Sequence, residues 1–168
     1  MEKGETLIVF KSADETRNSD TTYADDSSLT ISVKAEETYH IRMWLAVYSY
    51  ATADFKYRFN INGNTFLRAK GLITDTNTTT VADGGVASTS YNGYFFDEIS
   101  LAAGQGYFAP GGGSGAIGPD ATQTGIRADG IITPNSDGNI TVQWAQNVSD
   151  AGDTTVKRGS FFEIERID

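Results

Sequence analysis

Cysteine does not occur in the 168 residues. Its absence removes disulfides, thiol nucleophiles and cysteine-ligated zinc or iron–sulfur centres. Histidine occurs once, at His40. A serine–histidine–acid triad would have to be built around that residue, and no G-x-S-x-G elbow supplies the nucleophile. With one imidazole and no thiolate, a transition-metal site would be made mostly of carboxylates, which is unusual for zinc. Long apolar runs are missing as well. Leu7-Ile8-Val9-Phe10 is too short for a signal-peptide core or a membrane span, so the expectation is a soluble chain with no membrane partner. Positive charge is scarce: 13 Lys and Arg stand against 22 Asp and Glu, a net charge of −9. An acidic surface repels phosphate backbones and anionic lipids, which argues against nucleic acid as a partner.

What is present is strict alternation. From Asp54 to Asn62 the odd positions are Phe55, Tyr57, Phe59 and Ile61, and the even ones are polar. A strand places such a set on one face, whereas a helix would scatter it. Leu29, Ile31 and Val33 alternate with Thr30, Ser32 and Lys34. Between Tyr39 and Val47 the inward set is Tyr39, Ile41, Met43, Leu45 and Val47. The opposite face of that strand turns from His40 and Arg42 to Trp44, Ala46, Tyr48 and Tyr50. An apolar second face predicts a central strand or a subunit contact. Further strands are expected at Leu7–Lys11, Phe66–Ile73, Tyr94–Leu101, Gly125–Thr133, Asn139–Ala145 and Gly159–Ile167.

Turn chemistry separates these runs. Asn62-Gly63 predicts a type I′ hairpin with Phe59 opposite Phe66. Pro134 to Gly138 predicts a longer turn, and Asp83-Gly84-Gly85 and Asn92-Gly93 two more reversals. No window carries a 3.6-residue apolar period behind a cap. Many short strands and frequent turns predict one all-β domain over 1–168, an antiparallel β-sandwich of jelly-roll character. A chain of this length buries roughly 70% of its unfolded surface, enough for a core without staples. Two Gly- and Thr-rich stretches, Thr74–Ser90 and Ala102–Thr124, are expected to be long surface loops and places for partner contacts.

Candidate chemistry is sparse. Carboxylates cluster at Asp25-Asp26, Asp97-Glu98, Asp150 with Asp153, and Glu163 with Glu165. Glycosidases need two carboxyls across a sugar bond, but nothing in the spacing pairs any two of these. Asp150 and Asp153 flank Gly152 without the D-x-D-x-D-G spacing of a calcium loop. Gly111-Gly112-Gly113-Ser114-Gly115 lacks the G-K-[ST] ending of a phosphate loop. The sequons at Asn77, Asn139 and Asn147 are expected of a Thr- and Asn-rich composition. Tyr91, Tyr94, Tyr107 and Phe108 beside the glycine-rich stretches suit stacking on a sugar or packing on a protein neighbour.

Several segments resemble a domain of small virion proteins from tailed bacteriophages. They are Lys11-Ser12-Ala13-Asp14-Glu15-Thr16, Asp25 to Val33, Ala35-Glu36-Glu37-Thr38-Tyr39 leading through Trp44, Ala51 to Lys56, Gly130-Ile131-Ile132, and the closing Gly159-Ser160-Phe161-Phe162-Glu163-Ile164. The resemblance implies a capsid decoration (cement) or tail-associated subunit, often trimeric, with no catalytic residue or cofactor. The expected function is therefore a non-enzymatic virion protein made in the bacterial cytoplasm. It would bind the major capsid protein and copies of itself on the capsid exterior. Trp44, Ala46, Tyr48 and Tyr50 are the candidate subunit contact, and Tyr107 and Phe108 the candidate loop contact. The alternative is a carbohydrate- or receptor-binding module of a tail fibre or baseplate, and an enzyme acting on polysaccharide comes third.

Overall fold

A computed structural model describes residues 1–50, 52–53, 55–61, 65–74, 99–101, 107–108 and 123–168; of 61, 65–74, 99–101, 107–108 and 123–124 it describes the backbone. Among the described residues every regular element is a strand: β1 (Thr6–Phe10), β2 (Glu15–Arg17), β3 (Ala24–Val33), β4 (Tyr39–Tyr48), β5 (Phe55–Ile61), β6 (Thr65–Thr74), β7 (Ile99–Leu101), β8 (Tyr107–Phe108), β9 (Gln123–Pro134), β10 (Gly138–Gln146), β11 (Thr154–Val156) and β12 (Phe161–Arg166). They form two antiparallel sheets. The larger runs β1-β12-β4-β9-β6-β7, with β11 pairing β4 and β2, and the smaller runs β3-β10-β5-β8.

Two quartets, β1-β12-β4-β9 and β3-β10-β5-β8, lie within this order. Successive strands pass between the sheets so that each quartet interleaves early and late segments, which is jelly-roll connectivity. The pairs β6 and β7 extend the larger quartet beyond β9. As the apolar second face of its sequence suggests, β4 is central, with β12 on one side and β9 on the other.

The alternation patterns decide which face is buried. From β4, Tyr39, Ile41, Met43, Leu45 and Val47 all point into the core, as do Leu29, Ile31 and Val33 from β3. Phe55, Tyr57 and Phe59 of β5 meet Ile140, Val142 and Trp144 of the neighbouring β10. Phe59 reaches across the seam to Phe162 of the opposite sheet, ring centroids 5.6 Å apart.

One expectation about connections fails. Asn62 and Gly63 lie outside the described residues, but the strands they should join as a hairpin do not pair. β5 is in the smaller sheet and β6 in the larger, so Phe59 faces Val142 and Phe66 faces Thr133 and Ser100. Pairing β5 with β10 places Tyr57 beside Trp144 and Phe59 beside Val142, cross-strand pairs of large apolar side chains that are all buried. Pro134 to Gly138 is the turn expected between β9 and β10, and it carries the chain from the larger sheet to the smaller.

The short β2 and β11 escaped the sequence, because three residues carry no readable period. β8 falls inside the expected loop Ala102–Thr124, whose residues 102–106 and 109–122 lie outside the described residues, as do 75–90 of the other loop. Of the expected strand Tyr94–Leu101 only Ile99–Leu101 is described, and both Asp83-Gly84-Gly85 and Asn92-Gly93 fall outside.

Candidate functional site

The outer face of the larger sheet carries the even-numbered residues of β4, and register aligns them with neighbours in rows. One row reads Phe10, Phe161, Trp44 and Arg127 across β1, β12, β4 and β9. The next reads Ile8, Glu163, Arg42 and Asp129, and the third Thr6, Glu165, His40 and Ile131. On β6 the same rows end at the positions of Leu72, Lys70 and Arg68.

The first row is aromatic as far as Trp44 and ends in the exposed Arg127. Phe10 is 58% exposed, Trp44 37% and the adjacent Ile8 41%. Phe10 and Phe161 tilt against each other with centroids 6.0 Å apart. The second and third rows are charged and internally paired. Arg42 bridges Glu163 at 3.1 Å and Glu165 at 3.0 Å, and His40 Nε2 lies 2.9 Å from Asp129 Oδ1. Glu163 and Glu165 share the solvent-side face, as their spacing predicts, and serve Arg42 as partners.

The expected contact Trp44, Ala46, Tyr48, Tyr50 is divided by the structure. Trp44 joins Phe10 and Phe161, whereas Tyr48 and Tyr50 pack edge to face at 5.9 Å near the other end of β4. The Lys157 ammonium lies 5.8 Å from the Tyr48 ring, and half-buried Ala46 sits between the two groups. Phe10 and Phe161 were missed as partners, because only the pairing β1-β12-β4 brings them beside Trp44. Tyr107 and Phe108 form β8 on the smaller sheet, opposite Arg58 and Tyr57. The two candidate contacts therefore lie on different sheets.

Among the described residues the smaller sheet's outer face carries polar side chains that engage one another. Tyr23 lies under Lys56 at 4.7 Å and Arg58 at 4.5 Å. Arg58 donates to Gln143, whose amide donates to Asp25 at 2.6 Å. Thr30 bonds Thr141 at 3.1 Å, and Ser32 bonds Asn139 at 2.8 Å.

The acidic groups are occupied structurally. Asp150 accepts the Gly152 N–H and the Thr52 hydroxyl, both at 2.6 Å, and these bonds hold its carboxyl below the usual range. Asp153 accepts from Asn18 at 3.0 Å. Asp97 and Glu98 lie outside the described residues. Among the described residues no group of three His, Asp or Glu side chains is placed to hold a metal ion.

Asp26 is the exception to a solvated acidic surface. It is buried, ion-paired to the equally buried Lys11, and Glu15 approaches the same ammonium. Burial raises the Glu15 pKa, but hydrogen bonds from Lys11, Ser27 and Arg17 outweigh it and hold the group at about 2. In the sequence Asp26 is one of the clustered pair Asp25-Asp26, with nothing to mark it as buried. Its inward turn comes from an irregular register, in which only Val142 separates Thr141, opposite Thr30, from Gln143, opposite Asp25. An odd shift in register exchanges the faces of a strand.

No family model and no curated protein matches the chain. Among solved structures, infectious bursal disease virus of the Gx strain is similar at 13% identity and a TM-score of 0.22, over 98% of this chain and 43% of that one. The VP2 subviral particle of the same virus is similar at 10% identity and a TM-score of 0.22, over 98% of this chain and 38% of that one. The chain thus spans about two fifths of the length of these proteins. Scores this low carry no inference about function.

Proposed function

We propose that the chain is a non-enzymatic structural subunit of a tailed-phage particle. It binds the outer capsid surface as a decoration protein and makes its contacts through the outer face of the larger sheet. The observation that carries this reading is the contrast between the two outer faces. Among the described residues, one carries hydrogen-bonded polar side chains, and the other leaves Phe10 and Trp44 of the first row and Ile8 of the next open to water beside half-buried Phe161. A jelly roll hosts capsid subunits, lectins and enzymes alike, so the surface and not the fold selects among them. Stable protein contacts bury about 800 Å² per partner around an apolar, aromatic centre, and this row supplies such a centre. The charged rows beside it supply a polar rim that fixes orientation. The sequence resemblance supplies the particle, and with it the major capsid protein and a homotrimer as partners.

The test is reconstitution of emptied shells with the protein and with a Phe10→Ser, Trp44→Ser double variant. Wild-type protein should bind and raise the temperature of shell disruption, whereas the double variant should bind at least tenfold more weakly. Equal binding by both, or no binding by either, would remove the proposal. A second reading, a carbohydrate-binding module, is favoured by the partly exposed Trp44 ring beside the polar pair His40–Asp129. Glycan binding abolished by Trp44→Ala without change in shell binding would promote it.

A further inference from the structure

Lys11, Glu15 and Asp26 meet inside the molecule where the two sheets join. Lys11 follows β1 and Glu15 lies in β2, both on the larger-sheet side, while Asp26 lies in β3 of the smaller sheet. The Lys11 and Asp26 side chains have no solvent exposure. Lys11 Nζ stands 2.9 Å from Asp26 Oδ1 and 2.8 Å from Oδ2, so the nitrogen touches the carboxyl group across both oxygens. The same Nζ is 2.6 Å from Glu15 Oε2. Around Asp26 three donors converge: Trp144 Nε1 on Oδ2 at 2.9 Å, and the Ser28 and Leu29 N–H groups on Oδ1 at 3.0 and 3.2 Å. The Lys11 backbone is clamped too, its N–H donating to the Ser160 carbonyl and its own carbonyl accepting from Gly159, both at 2.8 Å.

We propose that Lys11 and Asp26 condense with each other, joining Nζ to the Asp26 side-chain carbon as an intramolecular amide, with Glu15 carrying protons and one water leaving.

The parts match the chemistry. Neither reacting group is exposed, so bulk water is kept away from the atoms that would join. Glu15 passes one proton from Nζ to Asp26, leaving a free amine beside a carboxylic acid, and takes a second from the nitrogen as it attacks. The amine lone pair adds to the Asp26 carboxyl carbon. Oxyanion charge develops where Trp144 Nε1 and the two backbone N–H groups already point, so donors are in place before the charge appears. Glu15 returns its proton to the departing hydroxyl as the C–N bond is retained. The ammonium and carboxylate become one neutral amide and one water, with no oxidant, metal or cofactor. Holding both reactants in contact replaces a bimolecular encounter, an advantage of many orders of magnitude.

The location gives the bond a use. β1 pairs only with β12 among the described strands, and its residues are largely exposed. An amide at Lys11 would fasten this edge to β3 of the opposite sheet in a chain that has no cysteine for the purpose.

The full-length protein is incubated folded at neutral pH, and its intact mass is measured against the sequence mass. The expected result is a species lighter by one water, with Lys11 and Asp26 joined in one branched proteolytic peptide. Lys11→Arg should stay at its sequence mass, and Glu15→Gln should lose water at least tenfold more slowly, both read on material with an unchanged far-UV spectrum. Wild-type protein that keeps its sequence mass overturns the proposal. So does a one-water deficit that persists in Lys11→Arg, since that marks a cyclised aspartate elsewhere, as at Asp129-Gly130.

Discussion

The indole of Trp44 lies over Gly125 so closely that a β-carbon at that glycine would stand 2.2 Å from Cη2 and 2.7 Å from Cζ2. Ala46, not Trp44, is the register partner of Gly125, so the ring reaches diagonally along β9 to cover bare backbone. Part of this outer-face aromatic is thereby seated where a side chain is missing. Gly125→Ala should push the ring out into solvent. Trp44 and the buried Trp144 are the two tryptophans of the chain. Collisional quenching of fluorescence should therefore rise in the variant while the Trp144 share stays protected. Unchanged quenching would mean that the ring is not held by this contact.

Acid should weaken the fold through Glu15. Its folded-state pKa, about 2, lies below the ordinary value of 4.5, so the unfolded chain binds the proton more readily in between. The stabilisation is complete above about pH 5 and is lost as pH falls from 4.5 toward 2. Ser27 and Arg17 bond the carboxylate whether Lys11 is an ammonium or an amide, so the direction holds in both forms. Denaturant midpoints measured across that interval should fall in wild type and flatten in Glu15→Gln. Parallel slopes would refute the assignment.

Phe59 joins the layers, meeting Tyr57 edge to face beside it and tilted against Phe162 across the seam. Phe59→Ala removes a fully buried ring from the contact between sheets and should cost about 3–5 kcal/mol, read from the shift in denaturant midpoint at constant slope. A loss under about 1 kcal/mol would show that the seam collapses around the gap.

Arg42 offers a contrasting case, because its two bridges lie at the surface. Removing them with Arg42→Ala should cost less than about 1 kcal/mol. Thermal unfolding at low and high salt should bring the variant and wild type together as salt rises. A salt-independent loss would indicate packing by the arginine stem.

Strand content was legible in Phe55-Tyr57-Phe59, in Leu29-Ile31-Val33 and in the long inward series from Tyr39 to Val47. Alternation is a local property of extended backbone, and each of these sets went to the core as its spacing required. The apolar second face of Trp44 was equally readable. Its neighbours were not, because Phe10 and Phe161 are brought to it by strands from opposite ends of the chain.

The order of residues by itself settled which side of each long strand is oily, and hence that two sheets must close over a common core. Only the tertiary structure decided which strands touch, that β5 and β6 part company despite the Asn62-Gly63 signal between them, and that Asp26 rotates inward to meet Lys11. The reason is physical: a face is chosen by side-chain period within a few residues, whereas partners are chosen by the total surface that distant segments bury together, and a shift of register can reverse a face that the local pattern assigned.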